Sequence, residues 1–335
     1  MPDARPLLVV APNWLGDAVM ALPAIADLGR HVAPNPLTIA ARPSVSSLFA
    51  MVPAVTAVVK SDVAAIRNAN PAIAVLLPNS FASAWLVWRA GVPERWGYVR
   101  DMRSALLTRG VRRPQQPMHQ GEYYQHLVRE LGIATEPLAP AITIPANATS
   151  DARRLLMQHG WDEERPLIVL APGAAYGKAK QWIPSHVVQL VTSLVRDRAA
   201  TCALVGSRGD AATTRGIRGA APPECRPRIL DLAGATTLQV LAAVISLARA
   251  CVSNDSGAMH LAAAAGVPVV GIFGPTNEKA TSPRAHAGVA TDVIVNPVWC
   301  RPCMLRECPI DHRCMTGIEP ARVLVAVDRV SKVTA

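Results

Sequence analysis

Short apolar runs alternate with helical patterns along the whole chain, and this alternation limits the fold more than any other feature of the sequence. Strands that are separated by helices form parallel sheets with helices on both faces. The strands are predicted at residues 6–11, 37–41, 55–59, 72–77, 166–171, 201–205, 228–232, 250–253 and 267–272. The helices are predicted at about 17–32, 43–51, 61–68, 80–90, 184–198, 236–249 and 256–265. The sequence therefore predicts an α/β fold with Rossmann-like sheets.

The length of 335 residues suits two such domains, since a single core rarely grows beyond about 250–300 residues. Residues 133–150 contain three prolines and little charge, which is typical of a linker. We expect one domain in residues 1–148 and a second in residues 149–335, with a last helix at about 318–332.

The apolar content of the chain limits its class. Half of the residues are hydrophobic and 17% are charged, which excludes a disordered chain. The longest apolar stretch, residues 261–275, is too short to span a bilayer, and the apolar segment near the N-terminus is too short for a signal peptide. We therefore expect a cytoplasmic protein.

The charge of the chain is unbalanced, and it favours an anionic partner. Thirty-four basic residues against 24 acidic ones give a formal net charge of +10. Half of this excess lies in residues 85–113, which contain seven arginines and two acidic residues. This segment is interpreted either as a solvated face or as an electropositive docking surface.

Ligands of open α/β sheets bind beyond the carboxyl ends of the strands, so the segments that follow the strands are the candidate site. The first such segment, residues 12–18, contains Asn13, Gly16 and Asp17 and leads into a helix. Gly16 permits a tight turn, and Asp17 falls at or near the helix N-cap. Asp17 is interpreted either as a helix cap or as a general base, because a carboxylate there is ionised at neutral pH.

The second segment, residues 172–182, follows the first strand of the second half and is rich in small residues. Gly173 and Ala174 let backbone amides approach a phosphate, and Lys178 and Lys180 supply positive charge. The segment lacks Gly-Lys-Ser/Thr, so it is not a Walker loop. It is interpreted as a diphosphate-binding loop, with a solvated loop as the alternative.

The third segment joins a strand to an apolar helix and contains Asp255, Ser256, Gly257 and His260. In one interpretation, Asp255 or Ser256 caps the helix and His260 is a core residue. In the other, the backbone amides of Ser256 and Gly257 bind a phosphate. Two further strand ends are candidates for the same site: residues 206–210 and 273–276.

Four cysteines near the C-terminus, Cys300, Cys303, Cys308 and Cys314, have the spacing C-x2-C-x4-C-x5-C. In a reducing compartment, thiolates at this spacing allow a tetrahedral structural zinc site. Reduced cysteines without metal are the alternative interpretation.

Together, these segments resemble the bacterial lipopolysaccharide heptosyltransferases, and among them the heptosyltransferase II branch most. The resemblance implies a GT-B glycosyltransferase architecture, in which two Rossmann-like domains face a cleft. It also implies that the last helix packs back on the N-terminal domain. The matching pieces run in the family's order: PNWLGDAVM at 12–20, LLPNSFASA at 76–84, GYVRDMRSALL at 97–107, APGAAYGKAKQW at 171–182, LAG at 232–234 and SNDSGAMHLAAA at 253–264.

The resemblance also implies roles for individual residues. Asp17 matches the catalytic base of the family, Lys180 the lysine near the donor diphosphate, and Asp255 the acid beside the donor sugar. The other donor-binding residues are expected to be Gly173, Ala174, Lys178, Asp231, Ser256, Gly257 and His260. The acceptor-binding residues are expected to be Asn13, Gly16, Asn79, Arg100 and Arg103.

As a member of this family, the chain is expected to be an inverting transferase. It would move L-glycero-D-manno-heptose from ADP-heptose to the heptosylated Kdo-lipid A inner core of lipopolysaccharide, with peripheral contact at the inner face of the inner membrane. Asp17 would accept the proton of the acceptor hydroxyl, and Lys180 would stabilise the leaving diphosphate. The chain contains no Asp-x-Asp sequence, so we expect that the chemistry requires no cofactor and that zinc is at most structural.

Three other interpretations compete with this one. Within the family, the alternative is heptosyltransferase I or another ADP-heptose transferase. A basic, zinc-containing nucleic-acid-binding protein accounts for the charge and the cysteines, but it leaves the strand-end segments unexplained, and aromatic residues are only 4% of the chain. A nicotinamide oxidoreductase is disfavoured because no Gly-x-Gly-x-x-Gly follows the first strand. We therefore expect no nucleic acid partner.

Overall fold

The computed structural model describes residues 5–137 and 139–332. The chain divides into two compact units, residues 1–143 and residues 144–335, so the division lies inside the predicted linker. Each unit contains one parallel six-stranded sheet, as the alternation of strands and helices predicts.

Within residues 5–137 and 139–143, the first unit contains six strands and six α-helices. Its strands are β1 (Leu7–Val10), β2 (Leu37–Ala41), β3 (Ala57–Lys60), β4 (Ile73–Leu76), β5 (Glu94–Tyr98) and β6 (Arg109–Val111). Its helices are α1 (Leu15–Met20), α2 (Leu22–Val32), α3 (Pro43–Phe49), α4 (Val63–Ala69), α5 (Phe81–Arg89) and α6 (Gln120–Glu130), with a 3₁₀ turn at Ser104–Leu106. The strand order is β3-β2-β1-β4-β5-β6, which places β1 and β4 at the centre.

Three details of the first unit differ from the prediction, and one of them is α6, a helix that was not predicted. The single helix predicted at 17–32 is divided into α1 and α2. The division lies next to Pro23, which has no amide hydrogen to continue the helical hydrogen bonds. The strands β5 and β6 were not predicted, because their sequences, ERWGY and RGV, carry charged residues and glycine in place of an apolar run.

The described part of the second unit, residues 144–332, contains six strands and eight α-helices. Its strands are β7 (Leu167–Ala171), β8 (Thr201–Leu204), β9 (Ile229–Asp231), β10 (Ala250–Asn254), β11 (Val269–Phe273) and β12 (Thr291–Val295). Its helices are α7 (Ala146–Gln158), α8 (Pro184–Asp197), α9 (Ala211–Ala220), α10 (Leu238–Ser246), α11 (Gly257–Ala264), α12 (Glu278–Thr281), α13 (Arg313–Thr316) and α14 (Pro320–Lys332). Short 3₁₀ turns lie at Lys178–Lys180, Arg208–Asp210 and Arg226–Arg228.

The second sheet has the order β12-β11-β10-β7-β8-β9, so β7 and β10 are its central strands. Both are buried along their whole length, which explains why their sequences are nearly continuous apolar runs. The segments that follow β7, β10 and β11 begin at the same edge of this sheet, because neighbouring strands are parallel.

The last helix, α14, packs within the second unit. Its buried residues Val323, Ala326, Val327 and Val330 belong to the same apolar cluster as residues of α8, β10 and β11. The return of this helix to the N-terminal domain, which the resemblance implies, stays a prediction. Across the described parts of the chain, no helix combines the length and the apolar character needed to cross a membrane.

Candidate functional site

Three segments of the second unit meet at one carboxylate. Lys180, on the segment after β7, donates from Nζ to Oδ2 of Asp255 at 2.6 Å. The hydroxyl of Thr276, on the segment after β11, donates to the same oxygen at 2.7 Å. The side chains of Lys180 and Asp255 are only 14% and 6% exposed. The carboxyl edge of this sheet therefore holds an enclosed ion pair, and all three residues lie in segments that the sequence named as candidates, Thr276 within residues 273–276.

Residues 172–182, which we call the lysine-bearing segment, are held at both ends by Asn254, the last residue of β10. Its Nδ2 donates to the carbonyl of Pro172 at 2.7 Å, and its Oδ1 accepts from the amide of Trp182 at 3.2 Å. Asn254 is 2% exposed, so these bonds are shielded from water. Sequence reasoning placed Asn254 beside the site residues but gave it no role, because an asparagine at a strand end carries no distinctive signal.

The segment with the four cysteines folds over the lysine-bearing segment. The backbone carbonyl of Arg306, in this segment, accepts a hydrogen bond from the amide of Ala179 at 2.9 Å. Nε2 of His312 lies 2.7 Å from the carbonyl of Ala179. The ring of Tyr176 lies between two cations, with Nζ of Lys180 at 4.8 Å and Cζ of Arg306 at 5.3 Å from its centroid. These contacts fix the backbone that carries Lys180.

The other residues that the sequence assigned to the donor lie at the ends of strands of the second sheet or in the segments that follow them. A Cβ at Gly173 would meet the carboxylate of Asp210, so a larger residue here would require the Asp210 side chain to move. Oδ1 of Asp231, at the end of β9, accepts from the amide of Ala233 at 3.3 Å. Ala174 is half-buried and Lys178 is exposed on the segment after β7.

The helix α11 begins directly after the ion pair. Ser256 is its N-cap residue, but the Ser256 hydroxyl lies 2.9 Å from the hydroxyl of Ser253 and makes no bond to the first turn. Gly257 starts the helix, and His260 is buried at 4% exposure. The side chain of Ser256 thus leaves the first amides of α11 available to a ligand.

In the first unit, Asp17 lies in the first turn of α1, three residues after the N-cap Trp14. It is therefore not the cap, and Gly16 lies in the same helical turn and makes no separate tight turn. Asp17 shares a side-chain hydrogen bond with Tyr124 of α6, which was not predicted. Burial, and next the charge of Asp17, raise the pKa of Tyr124 well above its usual value, so the Tyr124 hydroxyl keeps its proton.

Two predicted acceptor residues lie on the loops after β1 and β4. Asn13 is exposed. Asn79 donates from Nδ2 to the hydroxyl of Tyr123 at 2.9 Å, and Nε of Arg113 donates to the same hydroxyl at 3.1 Å. Oδ1 of Asn79 is buried without a partner among the described residues, so the position of Asn79 is set through Tyr123.

Arg103 contradicts its expected place on a docking surface. Its side chain is fully buried, and it donates to the carbonyls of Tyr98 at 2.9 Å and Pro78 at 2.5 Å and to the hydroxyl of Ser83 at 3.1 Å. Burial lowers the pKa of Arg103 to about 10, which leaves the guanidinium charged at neutral pH. Arg103 therefore ties together the loops after β4 and β5. Arg100, the other arginine expected to bind the acceptor, is exposed and pairs with Asp101 at 3.0 Å.

Among the other arginines of residues 85–113, Arg95 is half-buried, and the exposed ones are Arg89, Arg109, Arg112 and Arg113. Arg95 donates to the carbonyls of Leu106 at 2.6 Å and Val92 at 2.7 Å, and it thus holds backbone. Arg109 lies over the ring of Trp96 at 5.2 Å. Part of the local charge excess therefore serves the fold.

The four cysteines near the C-terminus do not assemble into a metal site. Cys314 is buried, Cys300 is half-buried, and Cys303 and Cys308 are exposed. Burial and the neighbouring thiols raise the pKa of Cys314. Within residues 5–137 and 139–332, no group of three or more histidine, cysteine or acidic side chains is arranged to hold a metal ion. The zinc site that the spacing allows is therefore unsupported.

Similarity to known proteins agrees with the resemblance seen in the sequence. The model of glycosyltransferase family 9 (heptosyltransferase) matches residues 60–313. Lipopolysaccharide heptosyltransferase 2 of Salmonella typhimurium is 29% identical over 300 residues, which cover 84% of this chain and 86% of the relative.

Two solved structures share the fold. The structure of the E. coli ADP-heptose lipopolysaccharide heptosyltransferase II has a TM-score of 0.83 and 26% identity, and the match covers 98% of both chains. A glycosyltransferase family 9 protein from Veillonella parvula has a TM-score of 0.85 at 18% identity, covering 99% of this chain and 98% of that one. The predicted α/β fold class, with GT-B-type Rossmann-like sheets, is thereby confirmed.

Proposed function

The chain belongs to glycosyltransferase family 9, the heptosyltransferases, and we propose that it transfers L-glycero-D-manno-heptose from ADP-heptose to the heptosylated Kdo-lipid A inner core of lipopolysaccharide. The observation that carries this proposal is the enclosed pair of Lys180 and Asp255 at the carboxyl edge of the second sheet. An enclosed cation beside a carboxylate suits a nucleotide sugar, which presents a diphosphate next to sugar hydroxyls. The resemblance to the lipopolysaccharide heptosyltransferase 2 of Salmonella typhimurium supports the choice of sugar and acceptor.

The donor would bind through Lys180 and the start of α11. The diphosphate replaces Asp255 as the partner of Lys180, and it accepts hydrogen bonds from the first amides of α11, around Ser256 and Gly257. Asp255 then accepts hydrogen bonds from hydroxyls of the heptose. Gly173, Ala174, Lys178, Asp231 and His260 complete the donor site.

The transfer is a single displacement. Asp17 accepts the proton of the acceptor hydroxyl as the hydroxyl oxygen bonds to the anomeric carbon of the heptose. The bond from that carbon to the β-phosphate oxygen breaks on the opposite face, so the configuration inverts and ADP leaves with the electron pair. Tyr124 orients the Asp17 carboxylate, and Lys180 stabilises the charge that grows on the diphosphate. The chemistry needs no metal ion in this scheme.

The acceptor would bind to loops at the carboxyl edge of the first sheet. Asn13, Gly16 and Asn79 lie there, and the exposed Arg100 supplies positive charge for the phosphorylated inner core. Arg103 supports this region from inside and does not contact the acceptor.

ADP release from ADP-heptose, measured with EDTA present, tests this function. We expect release with an acceptor that carries one heptose and none with the bare Kdo acceptor. The variant Asp17→Asn should lower the rate by about 10²- to 10⁴-fold, which is the usual contribution of a general base. Asp197→Asn, which changes an exposed carboxylate at the end of α8, is the matched control and should leave the rate unchanged.

Each other outcome has a definite meaning. Release only with the bare Kdo acceptor would assign the chain to heptosyltransferase I. Loss of activity in EDTA, restored by a divalent cation, would contradict metal-independent transfer. No release with either acceptor, in protein shown to be folded, would overturn the identity of the donor.

A further inference from the structure

The helix α5 exposes a row of three aromatic side chains, Phe81, Trp85 and Trp88, which we call the aromatic ridge. Their exposed fractions are 45%, 41% and 45%. Their rings stack along the helix, with centroids 6.1 Å apart for the first pair and 4.7 Å for the second. Because apolar surface in water is unfavourable, a row of this size on one helix indicates a surface that contacts a partner.

The surroundings of the aromatic ridge are basic. Arg89 lies over the ring of Trp85 at 6.0 Å, and Arg67 of α4 donates to the carbonyl of Arg89 at 2.9 Å. Both side chains are exposed. Residues 63–93, which include α4 and α5, contain no aspartate or glutamate. This side of the first unit therefore combines exposed aromatic rings with positive charge and carries no acidic residue on either helix.

Further apolar side chains lie on a loop that is fixed to the start of α5. Val99 and Met102, on the loop after β5, are 43% and 87% exposed. The buried Arg103 of this loop donates to the hydroxyl of Ser83 in α5 at 3.1 Å. Because Arg103 holds the loop against the helix, the apolar surface extends beyond the aromatic ridge.

We propose that the aromatic ridge, with Arg67 and Arg89, docks the protein on the headgroup region of an anionic phospholipid bilayer. Tryptophan favours this region, because its ring is apolar and its indole N–H is polar. Arginines near the surface attract anionic headgroups. A second copy of the chain is a poorer partner, because a symmetric contact through this face would bring the arginines of both copies together. The inference rests on the proposed function in that the acceptor is a lipid of such a bilayer.

Sedimentation with vesicles tests this docking without any substrate. Wild-type protein should bind vesicles that contain phosphatidylglycerol more strongly than vesicles of phosphatidylcholine alone, and salt should weaken the binding. The double variant Trp85→Ser/Trp88→Ser should bind both kinds at least about tenfold more weakly, because it removes the apolar contact. Trp299→Ser, which changes an exposed tryptophan of the second unit, is the matched control and should bind as the wild type does.

The basic part of the surface is tested by a second pair of substitutions. Arg67→Gln/Arg89→Gln should weaken binding to the phosphatidylglycerol vesicles by about thirtyfold and leave binding to phosphatidylcholine unchanged, since each arginine near an anionic surface contributes about 1 kcal/mol. Arg215→Gln, an exposed arginine on α9, is the matched control. Circular dichroism of each variant confirms that it is folded.

Several results would overturn the docking proposal: wild-type protein that does not bind anionic vesicles, equal binding by the tryptophan variant, or a dimer that the tryptophan variant converts to a monomer. Failure of the proposed function gives a different pattern. In that case no heptose is transferred, but the tryptophan variant still loses its binding to vesicles. If both proposals hold, the tryptophan variant also slows transfer to acceptor in vesicles and keeps the KM for ADP-heptose.

Discussion

Each sheet has an enclosed cation at its carboxyl edge. One of these cations pairs with a carboxylate, and the other bonds to uncharged oxygen atoms. Lys180 in the second unit pairs with the carboxylate of Asp255, and its side chain keeps 14% of its exposure. Arg103 in the first unit has no exposure, and its hydrogen bonds go to the carbonyls of Tyr98 and Pro78 and to a hydroxyl. A cation whose partner is a carboxylate can exchange that partner for a phosphate, whereas a cation that holds several backbone carbonyls cannot leave them without loosening two loops.

The difference shows how a cation that binds a ligand can be distinguished from one that stabilises the fold. The groups that the cation bonds to are a better guide than its charge or its position after a strand. Both residues follow a strand, both lie in segments that match the family, and both are positively charged. The partner of Lys180 is a side-chain carboxylate, which an incoming diphosphate can replace without breaking a hydrogen bond of the backbone. We therefore expect substitution of Lys180 to affect transfer and substitution of Arg103 to affect stability.

The largest expected effect is on catalysis by the Lys180→Met variant. Because the variant loses the charge that stabilises the leaving diphosphate, kcat/KM for transfer should fall by about 10²- to 10³-fold, or about 2.7–4 kcal/mol. The control is Lys279→Met, an exposed lysine on α12, which should stay within a few-fold of the wild type. Steady-state kinetics of ADP release measure both. If the two variants lost equal activity, the charge at residue 180 would have no special role.

The next effect is on stability, and it concerns Arg103→Met. The carbonyls of Pro78 and Tyr98 lose a charged donor while they stay buried, so the free energy of unfolding of the first unit should fall by about 2–3 kcal/mol. Arg100→Met, an exposed neighbour, should change it by less than about 0.5 kcal/mol. Urea unfolding measures the difference. A normal stability combined with a raised KM for the acceptor would instead make Arg103 a binding residue.

The smallest effect concerns the exchange of partners by Lys180. In Asp255→Asn, the amide can keep the hydrogen bond with Thr276, but Lys180 loses its competing carboxylate. Binding of ADP alone should therefore tighten by about three- to tenfold, while transfer slows because the sugar loses its acceptor group. Calorimetric titration with ADP gives the Kd. Weaker ADP binding by this variant would show that Asp255 orders the diphosphate site and does not compete for it.

The fold could be predicted where burial leaves a simple pattern. β1, β7 and β10 are buried on both faces, so their sequences are apolar runs that predict strands directly. β5 was missed because the mixed charges of its sequence, ERWGY, fit a loop as well as a strand. β12, with the sequence TDVIV, is mostly half-buried and was missed as well. Their pairing is decided by the neighbouring strands, which the local sequence does not contain.

The candidate site was predictable only in part, for the same reason. Lys180 and Asp255 lie in distinctive segments after strands, and the structure brings them together. Thr276 lies in a strand end that the sequence named as a candidate, although its bond to Asp255 could not be foreseen there. Tyr124, which bonds Asp17, gives no signal in the sequence, because a lone tyrosine on a helix is not distinctive. The burial of Arg103 depends on carbonyls of loops after two different strands, so the basic run around it could only be interpreted as a surface.

The contact between His312 and the segment that carries Lys180 can form only late in the synthesis of each chain. The carbonyl of Ala179 lies beside His312, which follows it by 133 residues in the chain. At typical rates of bacterial synthesis, the ribosome needs on the order of ten seconds to bridge that interval. A nascent chain therefore completes its first unit and the strands of its second sheet before Lys180 is fixed in place. A chain that stops just before His312 would retain all twelve of the described strands and still lack the contact of His312 with the segment that carries Lys180.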